Sequence, residues 1–291
     1  MTLGVHQVDG RIAANAAIKI RAALRKSVDA RKVIADYLLT HPVKSDNPTQ
    51  DRARARAWAQ HNVTLDLTAF KSALRQHYAE MYVTGVLSAY EAFGKAQRAN
   101  KAAKNPPHNW ADAFAIQALS NAVNWDTWTP GNAAAAALLK PPGALEKLLN
   151  GIQIKSIDIA NTSYDLLGTK LADGIGAGLV STQLANSIVD SLSVPSRALT
   201  IALTEGSRAA TAAAMDSYSA LGVEQIKWVA ADPTDEICDI DGEIIDIGET
   251  FSNGIDPSNS DDMPVHPNCR CSIGTVAPND VTDAIDSQAT D

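Results

Sequence analysis

The sequence predicts a mainly helical protein that ends in a small α+β domain. Alanine, the strongest helix former, is abundant, whereas aromatic residues make up only 5% of the 291 residues. Apolar residues recur at helical spacing along most of the chain as far as Gly222. After Gly222 the period changes to the alternation typical of strands, and this last part also contains a cluster of cysteine and histidine residues.

Residues 1–104 are predicted to form an elongated, basic helical region. Apolar residues at steps of four and seven predict one helix from Arg11 to Thr40. A short basic helix is predicted around the segment R-A-R-A-R-A-W, and a long helix from Leu67 to Lys101. We interpret the apolar faces of these helices as core or helix-to-helix contacts rather than ligand sites.

The charge of this first region differs from that of the whole chain. Residues 1–104 contain 17 Lys and Arg against 8 Asp and Glu, although the chain has a net charge of −8. A positive region of this kind favours contact with DNA phosphates or with an acidic partner. The alternative is a solvated helix face that binds nothing.

Residues 105–222 are predicted to continue the helical pattern. Ser181 and Thr182 are expected to cap a helix that ends at Leu192. Pro195 suits the first turn of the next helix, which is expected to end at Gly222. Arg197 and Glu205 are predicted to lie on one face of that helix as a charged pair. Three tryptophans earlier in the region are interpreted as core anchors, or as a surface patch that binds a neighbouring subunit: Trp110, Trp125 and Trp128.

Residues 223–275 are predicted to form the small α+β domain. Ile226, Trp228 and Ala230 alternate with other residues as in a strand, and residues 244–247 are expected to form a second strand. A tight turn is expected at Asp241-Gly242. Residues 276–291 are polar and acidic, and we expect them to be a disordered tail.

All three cysteines of the chain lie in this domain, close to a histidine: Cys238, His266, Cys269 and Cys271. Thiolate and imidazole groups suit tetrahedral Zn²⁺, so these four residues are the predicted metal ligands, with zinc in a structural role. Pro264 and Pro267 restrict the backbone around His266 and favour a turn towards Cys269. The alternative is three buried thiols without a metal. The odd number of cysteines argues against a disulfide framework.

The order of motifs in the C-terminal part resembles the C-terminal domain of the phage Mu F-like minor head proteins, a head morphogenesis family of tailed phages. From Arg197 the chain has R-A-L-T-I-A-L-T-E-G-S-R-A-A, followed by K-W-V-A-A-D-P-T-D-E-I-C-D-I-D-G and M-P-V-H-P-N-C-R-C. The resemblance extends over roughly residues 170–275. It departs from the family at Asp235, because family members often have a first cysteine there, three residues before the position of Cys238.

The resemblance implies a minor capsid protein that associates with the portal protein and acts in procapsid assembly, in the handling of packaged DNA, or in both. The expected location is the host cytoplasm during assembly and then the interior of the phage head. Major capsid protein, scaffolding protein and packaged DNA, the last through residues 1–104, are further expected partners. No apolar run reaches the length of a membrane-spanning helix, so no membrane contact is expected. No small-molecule substrate is expected either.

Two other classes of function remain open from the sequence. A head-maturation protease would need a nucleophile, a base and an orienting group, and a metal-dependent nuclease would need acidic ligands and a second histidine beside His266. No such pattern surrounds the six histidines, so no catalytic residue and no enzymatic activity is predicted. A DNA-binding protein that uses the basic region is the other alternative.

Overall fold

The structure, a computed structural model, is mainly helical, as predicted. It describes residues 10–41, 47–99, 143–230, 236–259, 262–267, 269 and 271–276. The helices are α1 Gly10–Lys26, α2 Ala30–Thr40, α3 Pro48–Asn62, α4 Thr68–Ala99, α5 Gly143–Gly176, α6 Ser181–Leu192 and α7 Pro195–Ala220. The strands are β1 Gln225–Val229, β2 Ile244–Asp246 and β3 Ser272–Thr275, and a 3₁₀ helix spans Glu236–Cys238.

The chain divides into two compact units, each made of separate stretches of sequence. The sheet unit comprises Met1–Ala14, Arg75–Asn150 and Thr200–Asp291, and the helical unit comprises Asn15–Leu74 and Gly151–Leu199. The predicted boundaries after residues 104, 222 and 275 remain a sequence-based prediction. The three tryptophans between residues 105 and 142 lie outside the described residues. Residues 277–291, which make up nearly all of the predicted tail, also lie outside them.

Two Ala- and Gly-rich faces pack closely in the sheet unit, where α4 contacts α7. A Cβ atom at Gly85 would lie 2.7 Å from the main-chain oxygen of Ala210 and 2.7 Å from the Cβ of Ala213. A Cβ at Gly206 would lie 2.8 Å from Nε2 of His77. Glycine is therefore needed at both positions for the two helices to approach this closely.

The sheet has three antiparallel strands in the order β2-β1-β3. α7 is followed by Gly222 at φ 69°, a left-handed conformation that ends the helix and turns the chain into β1. Trp228 of β1 is fully buried, and its ring meets that of Phe251 edge to face, with centroids 5.3 Å apart. All three cysteines belong to the core that forms around these rings.

The helical unit has its own core, built from α2, α3, α5 and α6. Ile34, Leu167 and Ile188 are among its most buried side chains. α5 approaches α3 at Gly168, where a Cβ would lie 2.6 Å from the Cα of Arg56. This close contact leaves space for no side chain larger than hydrogen at that position.

The structure corrects the predicted helix from Arg11 to Thr40, which is two helices. The chain leaves the helical conformation at Ser27 and re-enters it at Ala30. Asp29 is the N-cap of α2, and its side chain accepts a hydrogen bond from the Lys32 N–H at 3.2 Å. The apolar period continues across the break, so periodicity alone did not reveal it.

Three further local predictions need correction. α6 begins at Ser181 with Val180 as its N-cap, and no side chain caps it. Arg197 and Glu205 are not a pair, because Arg197 donates to main-chain oxygens such as that of Leu192. Asp241-Gly242 does form a turn, but the connection from β1 to β2 runs over residues 230–243 and contains the 3₁₀ helix, so it is not a tight hairpin. The strand β3 was not predicted.

Candidate metal centre

Two loops that flank the sheet carry the cysteine and histidine residues. Cys238 ends the 3₁₀ helix in the β1–β2 connection, and the side-chain amide of Asn253 holds that helix by donating to the Ile237 main-chain oxygen at 2.8 Å. Within the connection, a carboxylate oxygen of Asp241 accepts from the Ala230 N–H at 2.9 Å. Both hydrogen bonds fix the backbone on either side of the thiol, so Cys238 has a defined position.

The other residues lie on the segment that leads into β3. The Cys269 N–H donates to the His266 main-chain oxygen at 3.1 Å, which closes a four-residue turn. Pro267 occupies the second position of this turn, where its fixed φ angle is favoured. The turn brings the side chains of His266 and Cys269 to the same side, as the two prolines led us to expect.

The structure brings three of the four predicted ligands together. The ligand atoms of Cys238, His266 and Cys269 all lie within 4.8 Å of one another. Sγ of Cys238 is 3.4 Å from Nε2 of His266 and 3.9 Å from Sγ of Cys269. Both thiols are buried, whereas the imidazole is half-buried. Among the described residues, this is the one group of three or more Cys, His, Asp and Glu side chains with such spacing.

Cys271, the fourth predicted ligand, is buried next to this group but does not belong to the set of three. A hydrogen bond between its side chain and the thiol of Cys269 is the main reason why the pKa of Cys269 is lowered to about 5. Burial opposes this shift. The low pKa favours the thiolate form of Cys269, which is the form that binds metals.

The imidazole of His266 is held in the tautomer that a metal ligand requires. Its Nδ1 lies 3.0 Å from the main-chain oxygen of Pro267. A carbonyl oxygen only accepts hydrogen bonds, so Nδ1 carries the proton and the lone pair of Nε2 points towards the thiols. A hydrogen bond from the second ring nitrogen to a main-chain carbonyl is the usual outer contact of a metal-binding histidine.

The separations between these atoms fit tetrahedral zinc. With Zn–S of about 2.3 Å and Zn–N of about 2.05 Å, tetrahedral angles place two sulfurs about 3.8 Å apart and a sulfur and a nitrogen about 3.6 Å apart. The observed separations, 3.9 Å and 3.4 Å, are close to these values. The group can therefore hold a metal ion with little rearrangement.

Cys238 and His266 are in contact, as the thiol and the imidazole of a catalytic pair would be. Only 1% of Cys238 is exposed, and the second thiol, of Cys269, lies against it. A substrate carbonyl therefore has no path to the Cys238 sulfur in this conformation. The arrangement suits metal coordination better than nucleophilic attack.

Asp235, the position where the sequence departs from the family pattern, lies outside the described residues.

Comparison with known families gives a match for part of the C-terminal region. Residues 165–274 match the family model described as Phage Mu protein F like protein. This segment is similar to that family. The match confirms, over these residues, the resemblance predicted from the sequence. No curated protein and no solved structure matches the chain.

The Mu F-like segment depends on residues that lie outside the match. Two tyrosines of α4 donate to carboxylates of α7: the Tyr78 hydroxyl to Oε2 of Glu205 at 2.5 Å, and the Tyr82 hydroxyl to Oδ2 of Asp216 at 2.7 Å. Nε of Arg208 donates to the same Glu205 oxygen at 3.2 Å. This network was not predicted from the sequence. The only signal in the sequence was the pair of tyrosines one helical turn apart, which is common in helix cores.

No helix among the described residues combines the length and the apolar character that crossing a bilayer requires.

Proposed function

We propose that this protein is a minor head protein of a tailed phage that associates with the portal and acts in procapsid assembly. The observation that carries the proposal is the match of residues 165–274 to the Mu F-like family. The mainly helical fold, with buried networks but without an accessible catalytic group at the cysteine cluster, supports a structural role rather than hydrolysis.

Portal association can be tested with purified components. The full chain would be mixed with assembled portal rings and, separately, with major capsid subunits, and each mixture would be analysed by sedimentation. Co-sedimentation with the rings, saturating at a fixed ratio and absent with capsid subunits, is the expected result. Binding to capsid subunits alone would contradict the portal proposal but not a role in the head.

Within this function, the cluster of Cys238, His266 and Cys269 holds a structural Zn²⁺. Their spacing and the His266 tautomer support zinc, and Cys271 is the residue best placed to complete four ligands because it neighbours Cys269. The ion would join the β1–β2 connection to the segment before β3. Such a cross-link stabilises a sheet of only three short strands.

The metal assignment has a direct test. Protein purified without chelator should contain one zinc per chain by elemental analysis, and Cys269→Ser should contain none. Cys271→Ser should lower the affinity for zinc if this thiol completes the site. If the wild-type protein contains no zinc as purified, and still contains none after refolding in the presence of Zn²⁺, the metal centre is ruled out.

A further inference from the structure

The thiols of Cys238 and Cys269 lie against each other although they come from different loops. Their sulfur atoms are 3.9 Å apart. All three cysteines of the chain are buried and in the thiol form. In a disulfide the two sulfurs are about 2.05 Å apart, so this pair would need to approach by only about 1.9 Å. Rotations about the side-chain bonds of both cysteines give displacements of this size.

A disulfide between Cys238 and Cys269 would join the same two loops as the proposed zinc ion. Cys238 lies in the β1–β2 connection, and Cys269 precedes β3, 31 residues further along the chain. The other cysteine of the second loop, Cys271, is only two residues from Cys269. A disulfide between these two would close a very short, strained loop and would leave the β1–β2 connection unattached. The pair that includes Cys238 is therefore the one that can replace the metal as a cross-link.

Burial protects both thiols as long as the two loops stay closed. Of the three grouped residues only His266 is half-exposed, and its Nε2 is 3.4 Å from the sulfur of Cys238. A reagent therefore reaches the sulfurs only when the loops open locally. A bound Zn²⁺ would oppose this opening and would occupy both sulfurs. Loss of the ion would leave two accessible thiols that are already in contact.

We propose that Cys238 and Cys269 form a disulfide when Zn²⁺ is lost under oxidising conditions, so that a covalent bond takes over from the metal. This inference rests on the proposed function, because a phage particle assembles in the reducing cytoplasm of its host and is then released into an oxidising medium. In the cytoplasm the thiols stay reduced and can bind the metal. Outside the cell the disulfide keeps the sheet unit cross-linked.

The oxidant is a hydroperoxide, of which hydrogen peroxide is the simplest. The thiolate of one cysteine attacks the peroxide and breaks the O–O bond, which gives a sulfenic acid and hydroxide, and the hydroxide takes up the proton that this thiol has lost. The thiol of the other cysteine then attacks the sulfenic sulfur. The S–S bond forms, the S–O bond breaks and water leaves. The two thiols lose two electrons in total, and hydrogen peroxide is reduced to two molecules of water.

The experiment follows the thiols of the full chain. The protein is purified with reductant, the metal is removed with a chelator, both reagents are removed, and a small excess of hydrogen peroxide is added. We expect the number of thiols, measured after denaturation, to fall from three to one per chain. Peptide mapping should find Cys238 linked to Cys269. The oxidised, metal-free protein should unfold at a higher urea concentration than the reduced, metal-free protein, because the bond constrains the unfolded chain.

Zinc and two variants provide the controls. At a free Zn²⁺ concentration about 100 times the dissociation constant, about 1% of chains lack the metal, so the disulfide should form about 100-fold more slowly. Metal-free Cys271→Ser should still lose both of its remaining thiols. Metal-free Cys238→Ser should keep both, because Cys269 and Cys271 do not pair. Circular dichroism verifies that the variants are folded, and peptide mapping of the wild type identifies the pair even if Cys238→Ser does not fold.

Four results would overturn the proposal. They are a metal-free wild type that keeps all three thiols, a cross-linked peptide that contains Cys271, an oxidised protein that resists urea no better than the reduced one, and a zinc-loaded protein that reacts as fast as the metal-free one. The outcome is separable from that of the proposed function. A zinc-containing protein of phage heads that forms no disulfide would refute this inference alone, whereas a protein that forms the disulfide but is absent from heads would refute the proposed function.

Discussion

Breaking the proposed metal cross-link should destabilise the sheet unit by several kcal/mol. Zinc would join Cys238 to His266 and Cys269, which lie 28 and 31 residues further along the chain. The entropy of closing a loop of this length in the unfolded chain corresponds to about 3.6 kcal/mol at 25 °C. Cys238→Ser keeps the size of the side chain but removes a thiolate ligand, so it should lower the free energy of unfolding by about this amount.

Urea unfolding followed by near-ultraviolet circular dichroism provides the assay, because Trp228 and Phe251 share the core that contains Cys238. Wild-type protein should lose about 3–4 kcal/mol when the metal is removed by a chelator. Cys238→Ser should already be destabilised, and the chelator should not change it further. A wild-type protein that contains zinc but unfolds at the same urea concentration with and without chelator would refute the reasoning.

Three further predictions concern packing, a buried hydrogen bond and pH. Gly168→Ala should destabilise the protein by about 1–3 kcal/mol, because the new methyl group meets the main chain of α3. Gly151→Ala in the same helix has nothing within 4 Å of the new methyl group and should stabilise the protein by up to about 1 kcal/mol. Thermal unfolding distinguishes the two variants, and equal effects would contradict the described contact. Tyr78→Phe should cost about 1.5–3 kcal/mol, since it removes a hydrogen bond to the partly buried carboxylate of Glu205. A loss below about 0.5 kcal/mol in urea unfolding would contradict this role. Hydrogen bonds from Thr68 lower the pKa of Asp66 in the folded protein. The Asp66 carboxylate therefore contributes to stability above about pH 4, and this contribution is lost as the pH falls through the lowered pKa of the folded state. The difference in stability between the wild type and Asp66→Asn should shrink over that acidic range, and a constant difference would argue against the bond.

The sequence predicted most of the helices because their apolar stripes repeat regularly and their ends carry recognisable residues. Pro195 does begin α7, and Gly222 follows its end in a left-handed conformation. The break between α1 and α2 escaped prediction because the capping residue, Asp29, does not interrupt the apolar period. Strand β3 escaped because its four residues follow immediately after the cysteine motif and are buried on both faces, which removes the alternation that identifies a strand.

The sequence allowed the candidate ligands of the site to be named, but not the positions of all of them in space. The H-P-N-C turn has local causes, namely a proline and a hydrogen bond between residues three apart in the sequence. The proximity of His266 and Cys269 could therefore be predicted from the sequence. The approach of Cys238 depends on how β1 pairs with both of its neighbours, which is a long-range feature. The tyrosines that satisfy Glu205 and Asp216 come from a helix more than 120 residues earlier in the chain. No local pattern in the sequence connects them.

Whether this protein belongs to the phage head at the portal can be tested by quantitative mass spectrometry of purified procapsids and virions made with and without the portal protein. We predict a few uncleaved copies per particle, and their loss from particles that lack the portal. A chain absent from all particles, with capsid proteins cleaved only when it is expressed, would contradict the account and indicate a maturation enzyme.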